Sequence, residues 1–332
     1  MNIKKVVGII ALGLALLGGT AGTAWAIREY RAPLGPALDV AAPALEALDQ
    51  QIPAPAVQDT AQADVCGETG AWNVLVLGSD AAEMREPKGS DLTRMLHVDF
   101  ANRKVAVYAF PRQLWVDTAG LGLTNPTIDA TQLGTVFYEA RSRSTSTNVP
   151  TSMLEATQMT ARMLSKNFLV STDHYLAVDL SQVPAMVDTV GGLPINIPVE
   201  TTDPFIGMVI RAGPQTLNGL QFISYARAIP DSDFGRIQRN NLLIAALREK
   251  LLDPAVWGNV PNLYAQFKDA MVTDLSPEQI NHLSCLVKEI PAEAVVQAHV
   301  KQEWTSRGPQ AGSLLWDKDS VLNQLKELGL IP

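Results

Sequence analysis

Apolar and polar positions follow three different rhythms along this chain, and each predicts a different kind of element. The first rhythm is an uninterrupted run. Val6 to Ile27 carry no charge over 22 positions and follow Lys4 and Lys5. About 20 mostly apolar residues suffice to cross a bilayer, and basic residues before such a run keep the N-terminus cytoplasmic. We therefore expect an N-terminal transmembrane helix within residues 1–31, a single pass, with the remainder outside the cytoplasm. Ala24-Trp25-Ala26 also has the A-x-A form of a signal-peptide cleavage site. The run is long for a signal peptide, so a retained anchor is the preferred reading.

Residues 32–65 change character, with Pro33, Pro36, Pro43, Pro53 and Pro55 set among Ala and Gln, and read as a spacer. Short apolar runs bounded by turn residues follow. They predict strands at Asn73–Leu77, Leu92–Phe100, Lys104–Phe110, His174–Val178, Leu193–Ile197 and Val295–Val300, with Ala101-Asn102-Arg103 as a turn. A helical period marks Ser152–Leu164, Leu180–Val190, Asn218–Arg227, Gly235–Leu251, Asn262–Ala270, Pro277–Lys288 and Asp317–Leu328. Gly191-Gly192 and Gly329 stop two of these helices. Strands interleaved with helices imply an α/β (α+β) sandwich around a central sheet. The folded domain spans 66–254, and 255–332 is either its C-terminal flank or a small subdomain.

Composition narrows the function. Hydrophobic residues make up 47% and charged residues 18%, enough for a true core. The net charge is −8 and no basic stripe is visible, which argues against a nucleic-acid partner. An anionic ligand must then be held by a few placed arginines. Cys66 and Cys285 lack metal or thioredoxin spacing. In an exported chain they fit a disulfide or two separate buried thiols equally well.

No GxSxG, HExxH, Walker or GxGxxG motif occurs. Isolated acids and arginines at strand ends and helix starts remain. Asp80 ends Leu77-Gly78-Ser79-Asp80, and Asp91 ends Gly89-Ser90-Asp91. Two carboxylates at neighbouring strand ends suit Mg²⁺ beside phosphate oxygens, although Asp is also an ordinary residue of Gly-rich turns. Arg112 closes Phe110-Pro111-Arg112 after an apolar strand. Tyr225-Ala226-Arg227 precedes Asp233-Phe234-Gly235-Arg236-Ile237-Gln238-Arg239-Asn240, with Asp233 placed as an N-cap. Arg236 and Arg239, three apart, share a face at a helix N-terminus, where cations oppose the dipole. A bound phosphate would offset that, as would an Arg–Asp surface network.

These segments occur in a recognisable order. NVLVLGSD (73–80), GSDLTRMLHVD (89–99), VAVYAFPRQLWVD (105–117), DHYLAVDLSQVPAMVDTVGGLPINIP (173–198), AGPQTLNGLQFISYAR (212–227) and DFGRIQRN (233–240) resemble the LytR-CpsA-Psr (LCP) family. The resemblance covers roughly residues 72–252. It implies an LCP-like sandwich with a central mixed β-sheet flanked by helices, holding a polyprenyl chain in an apolar groove and its pyrophosphate at a polar mouth. By resemblance, Asp80 and Asp91 would hold Mg²⁺. Arg112, Arg227, Arg236 and Arg239 would clamp the phosphates beside Asn240, with Asp91, Arg112 and Arg236 as the catalytic residues. Trp115, Met153, Met159, Met163 and Met186 either line the groove or belong to the core.

The implied activity is transfer of a phosphorylated glycopolymer from a polyprenyl-pyrophosphate carrier to peptidoglycan at the membrane. This chain departs from the family pattern at Gln113, Ile229, Asn240 and Leu92, and lacks the arginine after the first acid, Arg85 being nearest. Those departures motivate one alternative, a non-catalytic module binding polyprenyl phosphate or wall polymer. A second alternative is a polyprenyl-pyrophosphate phosphatase using the same metal and arginine clamp with water as acceptor.

Overall fold

The computed structural model describes residues 27–40, 66–79, 90–123, 129–228, 233–253, 256 and 267–332. Six strands form the main sheet: β1 (Ala71–Ser79), β2 (Ser90–Asp99), β3 (Lys104–Ala109), β4 (His174–Asp179), β5 (Met271–Thr273) and β6 (Val295–His299). Their order is β5-β4-β1-β2-β3-β6. The β1–β2, β2–β3 and β4–β5 pairs are antiparallel, whereas β1–β4 and β3–β6 are parallel, so the sheet is mixed.

Alternation along each strand sends side chains to two faces. Leu75, Leu77, Met95, Tyr108, Tyr175 and Ala177 point to one face and are at most 1% exposed. They pack on α1 (Leu133–Arg143) and α2 (Val149–Phe168) in the largest core cluster. Met153 and Met163 are fully buried in this cluster, on the face away from the cavity described below. The other face carries α3 (Val183–Thr189), α4 (Gly219–Arg227) and α5 (Asp233–Leu251). Gly219 lets α4 approach α3, since a Cβ there would lie 2.0 Å from the Pro184 carbonyl oxygen.

Local chemistry explains the boundaries. Asn148 caps α2 through the Thr151 amide, with Pro150 in the first turn. Capping boxes open α4, by Asn218 and Gln221, and α6 (Pro277–Glu289), by Ser276 and Gln279. Asp317 caps α7 (Lys318–Glu327), and Gly329 leaves it at φ +78°. Helix α1 is absent from the expected elements. Its buried Leu133, Val136, Phe137 and Ala140 follow helical spacing, but Gln132 makes no side-chain cap, so no start signal marks it. Of the expected Asn262–Ala270 helix, 262–266 lie outside the described residues, and Lys268–Ala270 is a 3₁₀ turn.

The 255–332 segment supplies both edge strands, β5 and β6, and α7 buries Val321 and Leu325 in the largest core cluster. Cys66 and Cys285 are joined by a disulfide across 219 positions, which ties the entry to β1 onto α6. The expected transmembrane helix lies almost entirely outside the described residues; among those described, no helix is long and apolar enough to cross a membrane. The first part of the expected spacer lies against the domain. The Leu34 amide donates to Leu275 O (3.2 Å), Tyr175 donates to Pro36 O (2.9 Å) and Arg162 donates to Asp39 O (2.9 Å).

Candidate functional site

On the sheet face that carries α3, α4 and α5, Val76, Gly78, Leu92, Leu96, Val107 and Val178 form the floor of a cavity of about 300 Å³. Helices α4 and α5 roof it with Phe222, Ile223, Ala226, Leu243, Ile244 and Leu247. The space exists partly because Gly78 has no side chain: a Cβ there would lie 2.9 Å from Leu180 Cδ2. The volume is at the lower end for ligand pockets, and its wall is apolar except where Arg94, Arg227, Arg236 and Asn240 reach it.

The polar end is built by strand ends. Strand β1 pairs with β2 as Gly78↔Leu92 and then Ser79↔Ser90, so Asp91 is an extra residue in a bulge. Bulges re-aim a strand and are frequent beside active sites. Gly134, the second residue of α1, brings this corner together. A Cβ at Gly134 would lie 2.7 Å from Arg112 Cβ and 3.3 Å from Ser90 O, and its amide donates to Arg112 O (2.9 Å). The backbone around Asp91 and Arg112 thus flanks one helix start. Asp80 lies outside the described residues.

Asp233, expected as the cap, is instead the first residue of α5. Its carboxylate accepts the Arg112 amide (2.9 Å), lies 3.8 Å from Arg112 Nε and pairs with Arg236 inside the first turn of α5. The Asp233 and Arg236 side chains are nearly fully buried. Asp233 therefore offsets the charge of Arg236 at the helix N-terminus, and this Arg–Asp pair is buried, not the surface network expected. Arg227 stands across from it. Its Nε is 3.6 Å from Oδ2 of the buried Asp203, and its guanidinium lies over the Phe205 ring at 6.0 Å.

Arg239 is turned elsewhere. It is buried and donates to the Ala228 carbonyl, and its charge opposes the burial that raises the Tyr225 pKa. Among the candidate residues, Arg227, Arg236 and Asn240 line the cavity, Arg112 joins through Asp233, and Arg239 braces the end of α4.

Two functional candidates escaped the sequence reading. Arg94 sits mid-strand on the cavity floor, and Asp203 is the buried partner of Arg227. Arg94 was detectable in principle: it shares a strand face with Leu92 and Leu96, so a buried strand leaves its charge no solvent. Trp115 and the four methionines are not among the cavity-lining residues. His174 is bonded to Asp274 (3.2 Å) and Gln279 (3.0 Å) at the β4–β5 edge, a structural setting away from the cavity.

For a divalent cation, no group of three or more His, Cys, Asp or Glu side chains gathers among the described residues. The donor chemistry still suits a hard ion. The paired Ser79 and Ser90 each directly precede an acid in sequence, Asp80 and Asp91, and one or two carboxylates with water and substrate oxygens satisfy Mg²⁺.

Comparison with known proteins agrees with this architecture. The chain is 25% identical over 188 residues to the regulatory protein MsrR of Staphylococcus aureus, covering 55% of this chain and 50% of that one. It thus spans about half the length of those curated relatives. It is 22% identical over 218 residues to the polyisoprenyl-teichoic acid–peptidoglycan teichoic acid transferase TagU of Enterococcus faecalis, covering 64% of each. The fold matches Bacillus subtilis TagV with a TM-score of 0.62, at 17% identity, over 80% of this chain and 99% of that one. It also matches TagT bound to LIIa-WTA with a TM-score of 0.59, at 15% identity, over 78% and 89%. The LytR_cpsA_psr family model spans residues 42–328, and the chain belongs to that family.

Proposed function

We propose that this protein transfers a phosphorylated glycopolymer from a polyprenyl-pyrophosphate carrier to a peptidoglycan hydroxyl outside the cytoplasmic membrane. The observation that carries the reading is an apolar cavity whose one polar end is furnished by guanidinium groups, Arg227 and Arg236, with Arg112 linked through Asp233. An isoprenoid chain fits the apolar wall and a pyrophosphate fits the arginines, which bind phosphate oxygens through paired N–H donors. The similarity to TagU, whose name describes transfer of teichoic acid to peptidoglycan, supports the same class of reaction.

The acceptor hydroxyl oxygen attacks the phosphorus that carries the glycopolymer. The bond from that phosphorus to the bridging oxygen breaks, polyprenyl phosphate leaves, and Asp91 takes the hydroxyl proton. Arg112, Arg227 and Arg236 stabilise charge on the phosphoryl oxygens, which is the main protein contribution to phosphoryl transfer. Asp80 and Asp91 would hold Mg²⁺, which when bound neutralises further phosphoryl charge. Arg239 and Asn240 complete the polar end, Arg239 by fixing the α4–α5 corner.

The test is release of polyprenyl phosphate from a polyprenyl-pyrophosphate-linked saccharide, with and without Mg²⁺ and peptidoglycan. Wild type is compared with Asp91→Asn and Arg112→Ala. Acceptor-dependent release lost in both variants is expected. Release without acceptor would mean a phosphatase, and lipid binding with no release in any condition would mean a binding module.

A further inference from the structure

Arg94 lies in the middle of β2, a central strand of the sheet, and is 2% exposed. Its two hydrogen bonds go to uncharged acceptors, Asn241 Oδ1 at 2.6 Å and the Ile237 carbonyl at a long 3.4 Å. Its Nε has no hydrogen-bond partner among the described residues. No carboxylate pairs with it among the described residues, unlike Arg236, which has Asp233. Burial pulls its pKa down to about 10, a sign of how poorly its charge is compensated. A buried, unpaired guanidinium is costly, and its cost falls when a ligand brings an anion.

We propose that Arg94 is a ligand-binding residue, donating from the sheet side to an anionic phosphoryl oxygen of the molecule in the cavity. This rests on the reading of the site as a polyprenyl-pyrophosphate pocket. Arg94 reaches α5 at Ile237 and Asn241, each one position along from Arg236 and Asn240, which line the same cavity. Its head is therefore at the polar end and not among the aliphatic residues farther along α5, Leu243 and Leu247. Arg94 and Arg236 would grip the anion from floor and roof, and Nε is the donor left for it.

The competing role is a mere tie between β2 and α5. Full-length protein in detergent is titrated with geranylgeranyl pyrophosphate and with geranylgeraniol, for wild type, Arg94→Met and Asn241→Asp. The expected result is an affinity loss of about 10- to 100-fold for the pyrophosphate in Arg94→Met, with the alcohol unchanged. Asn241→Asp gives Arg94 an internal carboxylate and should weaken pyrophosphate binding while the thermal midpoint holds or rises. Unchanged pyrophosphate affinity in Asn241→Asp and in folded Arg94→Met would overturn the proposal and leave Arg94 as a tie. If Arg94→Met fails to fold, Asn241→Asp alone decides. A wild type that does not prefer the pyrophosphate over the alcohol would overturn the reading of the whole pocket.

Discussion

At the scale of single residues, Asp233 and Arg112 show how structural and chemical duties divide within one contact. Arg236 is buried beside Asp233, so Asp233→Ala removes a buried carboxylate that faces its guanidinium. The expected loss is about 3–5 kcal/mol of unfolding free energy, read by urea denaturation. The Arg112 side chain is 31% exposed, and its ion pair is long at 3.8 Å. Arg112→Ala is expected to cost about 1 kcal/mol or less in stability yet to slow turnover by at least about 100-fold, measured as polyprenyl phosphate release. His97 gives a pH dependence. Burial lowers its pKa, against the opposing charges of Asp99 and Asp173, and its Nδ1 shares a hydrogen bond with Asn73 Oδ1 at 2.9 Å. The fold thus favours neutral imidazole. Between its lowered folded value and about 6.5, the unfolded chain binds more protons, so stability falls as pH drops below about 6.5. His97→Gln should flatten the slope of the denaturation midpoint over that window.

At the scale of elements, α5 is the roof of the cavity and carries both of its chemistries along one length. Its first turns present Arg236 and Asn240, and its later turns present Leu243, Ile244 and Leu247. The apolar end can be blocked without touching the polar end. Ile244 is half-buried at the cavity, so Ile244→Trp should exclude the isoprenoid while the fold persists. The check is loss of copurified lipid with an unchanged circular dichroism spectrum; lipid retained at wild-type level would contradict the cavity assignment. Strand β2 is the matching floor, and its bulge at Asp91 is what separates the strand's pairing from its functional end.

At the scale of the whole molecule, the chain closes on itself. The segment after residue 255 supplies both sheet edges, and the Cys66–Cys285 disulfide links the first strand's entry to α6. A crosslink enclosing so long a loop restrains the unfolded chain strongly, by about 5 kcal/mol in the chain-entropy picture. Cys285→Ser is expected to lower the denaturation midpoint, and dithiothreitol should lower it in wild type but not in the variant. Equal midpoints with and without reductant in wild type would show that the bond contributes little.

Periodicity alone determined five of the six main-sheet strands and six of the helices α1–α7, because a half-buried strand or helix writes its own repeat into the chain. Leu193–Ile197 was legible to the residue, and the helices at Asn218–Arg227 and Pro277–Lys288 were legible from their period, while the capping boxes that open them were seen in the structure. The motif order also determined the family. Three things were left to the tertiary structure. Helix α1 has the right spacing but no cap, so burial against the sheet defines it. The three-residue strand β5 is too short to show a period and exists only because β4 offers it an edge. The partners of charged groups were also hidden, since Arg94 and Asn241, or Arg227 and Asp203, lie far apart in sequence. Local patterns record which face of an element is buried, but which charges meet across the chain is decided by packing, where the cost of an unpaired buried charge selects the contacts.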